Sequence, residues 1–336
     1  MGQGMAYRRS NGKGRRKLQP AVMQMVFVLP AGLSYVDLPL AASIVNRRGY
    51  KQQHSTWAVA NIELFNTGAG TGVVEVSKLP ETWVMSNAYT KSKALWDKMN
   101  DQVLDTEPDI SGAYSDFKIA MNVNHSSQTI QDASNPAGKI LTPVVYDQTA
   151  GTQVHTVADF SGGAAPVADW DFSKLQIPND PASGVTSEYT LHAVGPNTAG
   201  SKGLIAGYEL SRARPNQIDP NVPITDGWMN ALFDDGENLE EIRDDLNTDN
   251  DRAPYPVGAE TGGPAYYPGG TNELSGLQQH SFCNFTSTTV SQKNTIMGGL
   301  FGCGLMKISN TTGAQLTMII HMVPGSHRGY MVEVDA

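Results

Sequence analysis

Basic residues concentrated at the N-terminus are the first feature of the sequence that could do chemistry. Six of the first 17 residues are arginine or lysine, no acidic residue accompanies them, and glycines lie among them. Such a segment has too few apolar side chains to fold alone, so its cations stay available to phosphate oxygens. We therefore predict that residues 1–20 form a disordered arm that binds nucleic acid without sequence preference; a solubilising or targeting tail is the alternative. The basic residues of this arm are Arg8, Arg9, Lys13, Arg15, Arg16 and Lys17.

A second, smaller basic cluster consists of Arg47, Arg48 and Lys51. The chain has a formal net charge of −9 although its first 17 residues contribute +6, so the remainder is strongly acidic. A basic tail on an acidic body is typical of a protein that handles nucleic acid. We predict that this cluster adds phosphate contacts from the folded part of the chain.

Acidic residues are concentrated in residues 234–251, where Arg243 is the single basic residue. The spacing of Asp245, Asn247, Asp249 and Asp251 imitates the start of an EF-hand calcium loop. An EF-hand is excluded, because Asn250 and Pro256 stand where that loop needs glycine and glutamate. The run predicts a solvated acidic helix and loop. The alternative is a structural divalent cation held by Asp245, Asp249 and Asp251, for example between subunits; we expect no other cofactor.

Catalytic motifs are missing from the sequence. The glycines at positions 68, 70 and 72 imitate a phosphate-binding loop, but no lysine and no helix follow them. Neither a GxSxG nor an HExxH motif occurs, and the seven histidines are never paired at ligand spacing. Cys283 and Cys303 fall in separate predicted strands and are interpreted as buried thiols. The sequence therefore predicts a protein that is not an enzyme.

The elements that must position these residues are mainly strands. In Ser55–Phe65 apolar and polar residues alternate, which is the period of a half-buried strand. The glycine-rich residues 66–72 and the strand after them predict a hairpin. Residues 295–308 predict one long strand that its glycines make either bulged or closely packed. Further predicted strands are residues 22–29, 117–123, 140–146, 153–160, 189–194, 204–210, 281–290, 316–323 and 330–334.

Helices are few in this pattern. Leu95, Met99 and Val103 recur every four residues and predict a helix over residues 87–104. Residues 228–246 predict a second helix, and residues 40–46 predict one or two helical turns. No strand–helix alternation is present, so the fold class is all-β, an antiparallel sandwich with a few helices in its connecting loops. The domain covers residues 21–336, with a surface insertion at 214–276 that is rich in proline, glycine and acid.

The segment from Leu38 to Gln52, LPLAASIVNRRGYKQ, resembles a Val-Asn-Arg-Arg segment found in capsid proteins of small circular Rep-encoding single-stranded DNA viruses, particularly the bacilladnavirus-like group. The residues LPETW at 79–83 and the helix through Trp96 and Met99 fit the same pattern, whereas Gly49 departs from the bulky residue expected there. The resemblance covers about residues 1–105, and beyond them it is one of architecture.

This resemblance implies an eight-stranded jelly-roll capsid protein. Many copies would form a closed icosahedral shell around single-stranded DNA, with the basic arm directed at the genome. The protein would be found in the virion, and in the nucleus or cytoplasm of the host cell during assembly, without a membrane partner.

Two other functions fit the sequence. A positive-strand RNA virus could use the same fold, because arms that contact phosphates do not distinguish DNA from RNA. A β-sandwich carbohydrate-binding or adhesion protein could use Trp170, Trp228, Tyr266 and Tyr267 as a platform for sugars and the acidic run for calcium. That protein would be a monomer and would not need the arm.

Overall fold

The computed structural model describes residues 20–52, 55–66, 68, 70–108, 116–132, 135–147, 149, 152–155, 171–178, 186–194, 200–212, 277–286 and 292–334. The strands are β1 Gln24–Leu29, β2 Gly32–Asp37, β3 Ser55–Phe65, β4 Gly72–Lys78, β5 Val144–Asp147, β6 Thr152–His155, β7 Lys174–Pro178, β8 Thr186–His192, β9 Ser201–Gly203, β10 Gln278–Phe285, β11 Lys293–Gly302, β12 Leu305–Asn310, β13 Leu316–Met322, β14 Pro324–Gly325, β15 Gly329–Tyr330 and β16 Val332–Val334. The helices are α1 Leu38–Asn46, α2 Trp83–Thr106, α3 Val123–Ser126 and α4 Leu204–Arg212. None of the helices in these ranges is both long and apolar enough to cross a membrane.

Two antiparallel sheets form the centre of the fold. The first has the strand order β1-β13-β3-β11, with β16 beside the first residues of β3. The second has the order β10-β4-β12-β2. Smaller sheets are formed by β5–β6, by β14–β15 and by β7–β8–β9, in which β8 and β9 are parallel. The predicted all-β sandwich of antiparallel sheets with few helices is therefore confirmed.

The main core lies between these two sheets. Alternate residues of β1 are buried, and Phe27 lies opposite Met318 of β13 in the register. Val76 and Ile308, which are opposite each other in the second sheet, belong to the same apolar cluster. The period of two in the sequence thus separates the inner faces of both sheets from their outer faces.

A second core packs helices α2 and α4 against strands β7 and β8. The prediction of a helix over residues 87–104 is confirmed with longer bounds, since Thr82 caps α2 by accepting a hydrogen bond from Met85 N. Along the predicted apolar series Leu95 is buried, but Val103 is 47% exposed, so the last turns of α2 lie beyond this core. The predicted strand at residues 204–210 is wrong: Leu204, Ile205 and Tyr208 share one face of α4 and are buried in the second core.

Two predicted connections are also wrong. Residues 295–308 form two strands, because Cys303 and Gly304 both have positive φ and make a turn from β11 in the first sheet to β12 in the second. Likewise β3 and β4 form no hairpin but lie in different sheets. The glycines between them permit close packing, since a Cβ on Gly70 would lie 2.6 Å from the Cβ of Ala314.

The glycine-rich strand β11 is closely packed and not bulged. Its register against β3 does not shift, since Met297 pairs with Asn61 and Gly299 with Val59, and a Cβ on Gly298 would lie 2.1 Å from the carbonyl oxygens of Val59 and Ala60. The next glycine, Gly299, makes room for the ring of His280. Residues 117–123, in contrast, form no named strand: Ala120 makes an isolated bridge to His192, and α3 begins at Val123.

Candidate nucleic-acid interface

The loop after α1 carries the second basic cluster. Asp37 caps the start of α1, and the helix ends where Arg47 adopts a left-handed conformation with a φ of 53°. That turn leaves the side chains of Arg47 and Lys51 exposed and that of Arg48 half-buried. Local helix capping at both ends therefore presents the three predicted cations on one loop.

A fourth basic residue, Arg328, joins them from the other end of the chain. Its guanidinium Nη1 donates a hydrogen bond to the Gly49 carbonyl, and its own carbonyl accepts one from the Tyr50 hydroxyl at 2.9 Å. Arg328 is exposed and has a left-handed φ of 50°. We call residues 47–51 and 326–330 the basic loop pair. Sequence analysis missed Arg328, because 278 positions separate it from Tyr50 and only the folded topology brings the loops together.

Buried aromatic rings pack together at the base of this loop pair. The rings of Tyr50, Trp57 and Tyr330 lie within 6.0 Å of one another, centroid to centroid, and His327 packs 6.2 Å from Tyr50. Burial raises the pKa of Tyr50, and the guanidinium groups of Arg48 and Arg328 offset part of this rise. Burial and the charge of Arg328 lower the pKa of His327, so this ring is neutral at pH 7. The positive charge of the loop pair therefore comes from its arginines and Lys51.

The root of the N-terminal arm is fixed to the same place. Pro20 O accepts a hydrogen bond from Arg48 Nη1 at 3.1 Å, and Val22 N donates to Asn46 Oδ1 at 2.9 Å. The hydroxyl of Tyr330 donates to Val22 O at 2.6 Å. Pro20, the residue to which the arm is joined, therefore lies directly beside the basic loop pair.

The arrangement can bind phosphate but is not built to read bases. Guanidinium and ammonium groups on exposed loops match phosphate oxygens, and such contacts carry no sequence information. Among the described residues, Asp116 lies close enough to interact with Lys51: burial raises the pKa of this carboxyl, and the charges of Lys118 and Lys51 offset part of the rise.

Several predicted residues lie outside the described ranges. These are the arm residues Arg8, Arg9, Lys13, Arg15, Arg16 and Lys17, the acidic residues Asp245, Asp249 and Asp251, the aromatic residues Trp170, Trp228, Tyr266 and Tyr267, and the insertion at 214–276 with its predicted helix. Within the described ranges no three His, Cys, Asp or Glu side chains form a group that could hold a metal ion.

Cys283 and Cys303 form no disulfide. Cys303 is buried, and burial raises the pKa of the half-buried Cys283 to about 11.

No family model, no curated protein and no solved structure matches the chain.

Proposed function

We propose that the chain is the capsid protein of a small single-stranded DNA virus. In this proposal each copy is an eight-stranded jelly roll, many copies assemble into an icosahedral shell, and the basic arm and the basic loop pair hold the packaged genome. The protein acts as a structural component of the virion and not as an enzyme.

The pairing of the eight long strands carries the fold part of the proposal. Taken in chain order as β1, β2, β3, β4, β10, β11, β12 and β13, the first pairs with the last, the second with the seventh, the third with the sixth and the fourth with the fifth. A long hairpin rolled into two facing sheets has this pairing, which is the arrangement of a jelly roll. Jelly rolls occur in viral capsids, lectins and cupins, so the fold alone does not select the function.

Electrostatics favours the capsid among these. Pro20, to which the arm is joined in the chain, lies beside Arg48, so the basic tail is attached at the end of the sandwich that presents Arg47, Arg48, Lys51 and Arg328. That end is where β1 and β3 begin and where β13 ends. A sugar-binding protein has no use for a phosphate-binding surface that continues into a basic tail, whereas a genome-packaging subunit needs one.

Electron microscopy of the purified full-length protein tests the proposal. We expect closed shells of uniform size in negative stain, and single-stranded DNA after nuclease treatment of the particles and sequencing of the protected nucleic acid. A monodisperse monomer over a range of salt and pH, together with binding to a glycan array, would contradict assembly and favour the carbohydrate-binding alternative. Shells that protect only RNA would keep the capsid function but assign it to an RNA virus.

A further inference from the structure

A small cavity lies beside the start of α1. Its volume is about 20 Å³, and its lining includes three polar side chains, Asp37, Lys118 and His125, among apolar ones such as Ile130 and Ile140. A cavity needs about 10–15 Å³ to hold one water molecule, and it stays dry if its walls are apolar. Both the size and the polar lining of this cavity therefore suit a single water.

His125 lines the cavity, and one of its ring nitrogens has no hydrogen-bond partner among the described residues. Its side chain is 1% exposed, and its Nδ1 accepts a hydrogen bond from Met121 N at 2.9 Å. Because burial lowers the pKa of His125 to about 3, the ring is neutral and its one proton lies on Nε2. No acceptor in the described part of the chain lies within hydrogen-bonding distance of Nε2. A buried N–H without an acceptor loses the hydrogen bond that it makes to water in the unfolded chain, which makes an acceptor in the cavity favourable.

Neighbouring groups prevent the ring from turning towards another acceptor. His125 stacks on Tyr35 with a centroid separation of 4.4 Å and an interplanar angle of 8°, and Phe172 packs edge-on at 5.1 Å. The backbone N of His125 donates to Asn122 Oδ1 at 2.8 Å, and the hydroxyl of Tyr35 donates to the same oxygen at 3.2 Å. The orientation of the imidazole is therefore fixed, with Nε2 as its remaining polar atom.

Asp37 supplies the complementary group. One of its carboxylate oxygens accepts a hydrogen bond from Leu40 N at 2.9 Å and so caps α1. The carboxylate is also attracted by the charge of Lys118, which is 8% exposed. A donor from the imidazole, a carboxylate acceptor and an ammonium group together provide the three or so partners that a buried water usually has.

We propose that this cavity is a water-binding site in which one molecule accepts a hydrogen bond from His125 Nε2 and donates to the Asp37 carboxylate, next to Lys118. A metal ion is excluded by the tautomer, because the nitrogen that faces it would carry a proton, and by the charge of Lys118. The bound water connects the N-terminal cap of α1 to α3 and to the extended segment at residues 116–121.

A structure of the full-length protein at a resolution that shows ordered water tests the site directly. We expect one isolated peak within hydrogen-bonding distance of both His125 Nε2 and the Asp37 carboxylate. An empty cavity, a direct contact between His125 and Asp37, or a peak at the shorter distances of metal ligands would each overturn the proposal.

Thermal unfolding provides a second test through Ile140→Met, with Ile44→Met as its control. Both isoleucines are buried in the same small apolar cluster, but only Ile140 lines the cavity. A methionine reaches into the cavity, displaces the water and leaves Nε2 without an acceptor, so we expect a Tm lower than that of the control by about 3 °C or more. A dry cavity would be filled favourably, and a Tm equal to or above the control value would overturn the proposal. Ile130→Met repeats the test from another wall if Ile140→Met does not fold.

Discussion

Arg328 has a structural role and a proposed role in phosphate binding, and different substitutions can distinguish them. Its hydrogen bond to Gly49 joins the two loops, and its charge belongs to the proposed phosphate-binding surface. Arg328→Lys keeps the charge but lacks the planar fork of donors, whereas Arg328→Ala removes both. These two variants therefore distinguish a structural role from a role in binding.

We predict that Arg328→Ala flattens the salt dependence of single-stranded DNA binding by the full-length protein. Each lost phosphate contact should reduce the slope of log K against log salt by about 0.7, while Arg328→Lys should keep the wild-type slope. Filter binding or fluorescence anisotropy across a salt series measures this. Lys93→Ala is the control, since that lysine is on α2 and is paired with Asp97. If Arg328→Ala leaves the slope unchanged and lowers only the Tm, Arg328 is a structural residue alone.

Only part of the site could be predicted from the sequence. Some of its residues are close together in the chain, whereas others are brought together by the fold. Arg47, Arg48 and Lys51 are close together in the chain, so counting charges finds them. Arg328 joins them only because β1, β3 and β13 meet at one end of the first sheet, which local sequence does not encode. The hydrogen bond from Arg48 to Pro20, which fixes the start of the arm, is likewise a product of the tertiary structure.

Asp37 is expected to make stability depend on pH. Burial raises its pKa to about 7, although the hydrogen bond from Leu40 and the charge of Lys118 oppose this and Asp116 adds to it. Since the unfolded value is about 3.9, the contribution to stability is complete below pH 4 and is lost as the pH rises through about 7. His125 acts in the opposite direction, because its lowered pKa removes stability as the pH falls below about 6.5.

Asp37→Asn isolates the carboxylate, because asparagine is an equally good N-terminal cap and does not titrate. We predict that the Tm of wild type falls relative to that of Asp37→Asn as the pH is raised from 5 to 8. Differential scanning fluorimetry of both proteins in parallel buffers measures the difference, and the contribution of His125 cancels between them. Parallel Tm curves over this range would show that the carboxylate titrates near its ordinary pKa.

At the scale of elements, the turn between β11 and β12 decides how the chain changes sheets. Gly304 has a φ of 68°, and a Cβ at this position would lie 2.5 Å from Pro39 Cδ, at the start of α1. Its carbonyl accepts a hydrogen bond from Leu38 N at 2.9 Å. The turn and the first residues of α1 therefore fit together only if position 304 has no side chain.

Gly304→Ala tests this fit against a closely matched control. Gly313 has nearly the same backbone, with a φ of 71°, but no atom within 4 Å of the Cβ position. We predict that Gly313→Ala lowers the free energy of unfolding by about 1–2 kcal/mol through backbone strain alone, and that Gly304→Ala lowers it by about 1–3 kcal/mol more through overpacking. Urea unfolding monitored by tryptophan fluorescence measures both. Equal losses would mean that Pro39 moves aside without cost.

Periodicity in the sequence predicted some strands correctly, but it could not predict the effects of packing and of turns. Burial alternates strictly along β13, whereas along β3 the alternation changes phase at Ala60, where the register against β13 shifts; one face of each strand meets the core, and the predicted strands at 55–65 and 316–323 are confirmed as β3 and β13. Residues 204–210 also contain closely spaced apolar residues, but packing against α2 selects a helix there. The sheet to which a strand belongs depends on turns such as Cys303-Gly304, and periodicity does not report on them.

At the scale of the whole molecule, the arms of the proposed shell would be too weakly charged to neutralise a genome alone. About 60 copies of a +6 arm carry about 360 positive charges, whereas a strand of about 1,000 nucleotides, enough to encode this chain, carries about 1,000 phosphates. The basic loop pair lies at the exit of the arm and adds four cations per copy in the described structure. The proposed function therefore assigns condensation to the arm and the body together, with other cations supplying the rest.

Deleting residues 1–17 should separate these two contributions. The deletion removes no residue of either described core, so we predict an unchanged Tm for the unassembled protein, while the amount of packaged nucleic acid falls sharply. The salt slope for single-stranded DNA should lose up to about 4, and the four cations of the loop pair should leave up to about 3. Neutralising Arg47, Arg48, Lys51 and Arg328 in the truncated chain should then abolish the remainder. Absorbance of purified particles and anisotropy titrations measure the two effects. If the truncated protein packages as much nucleic acid as the full chain and keeps its salt slope, the arm does not bind the genome, and the loop pair alone would have to do so.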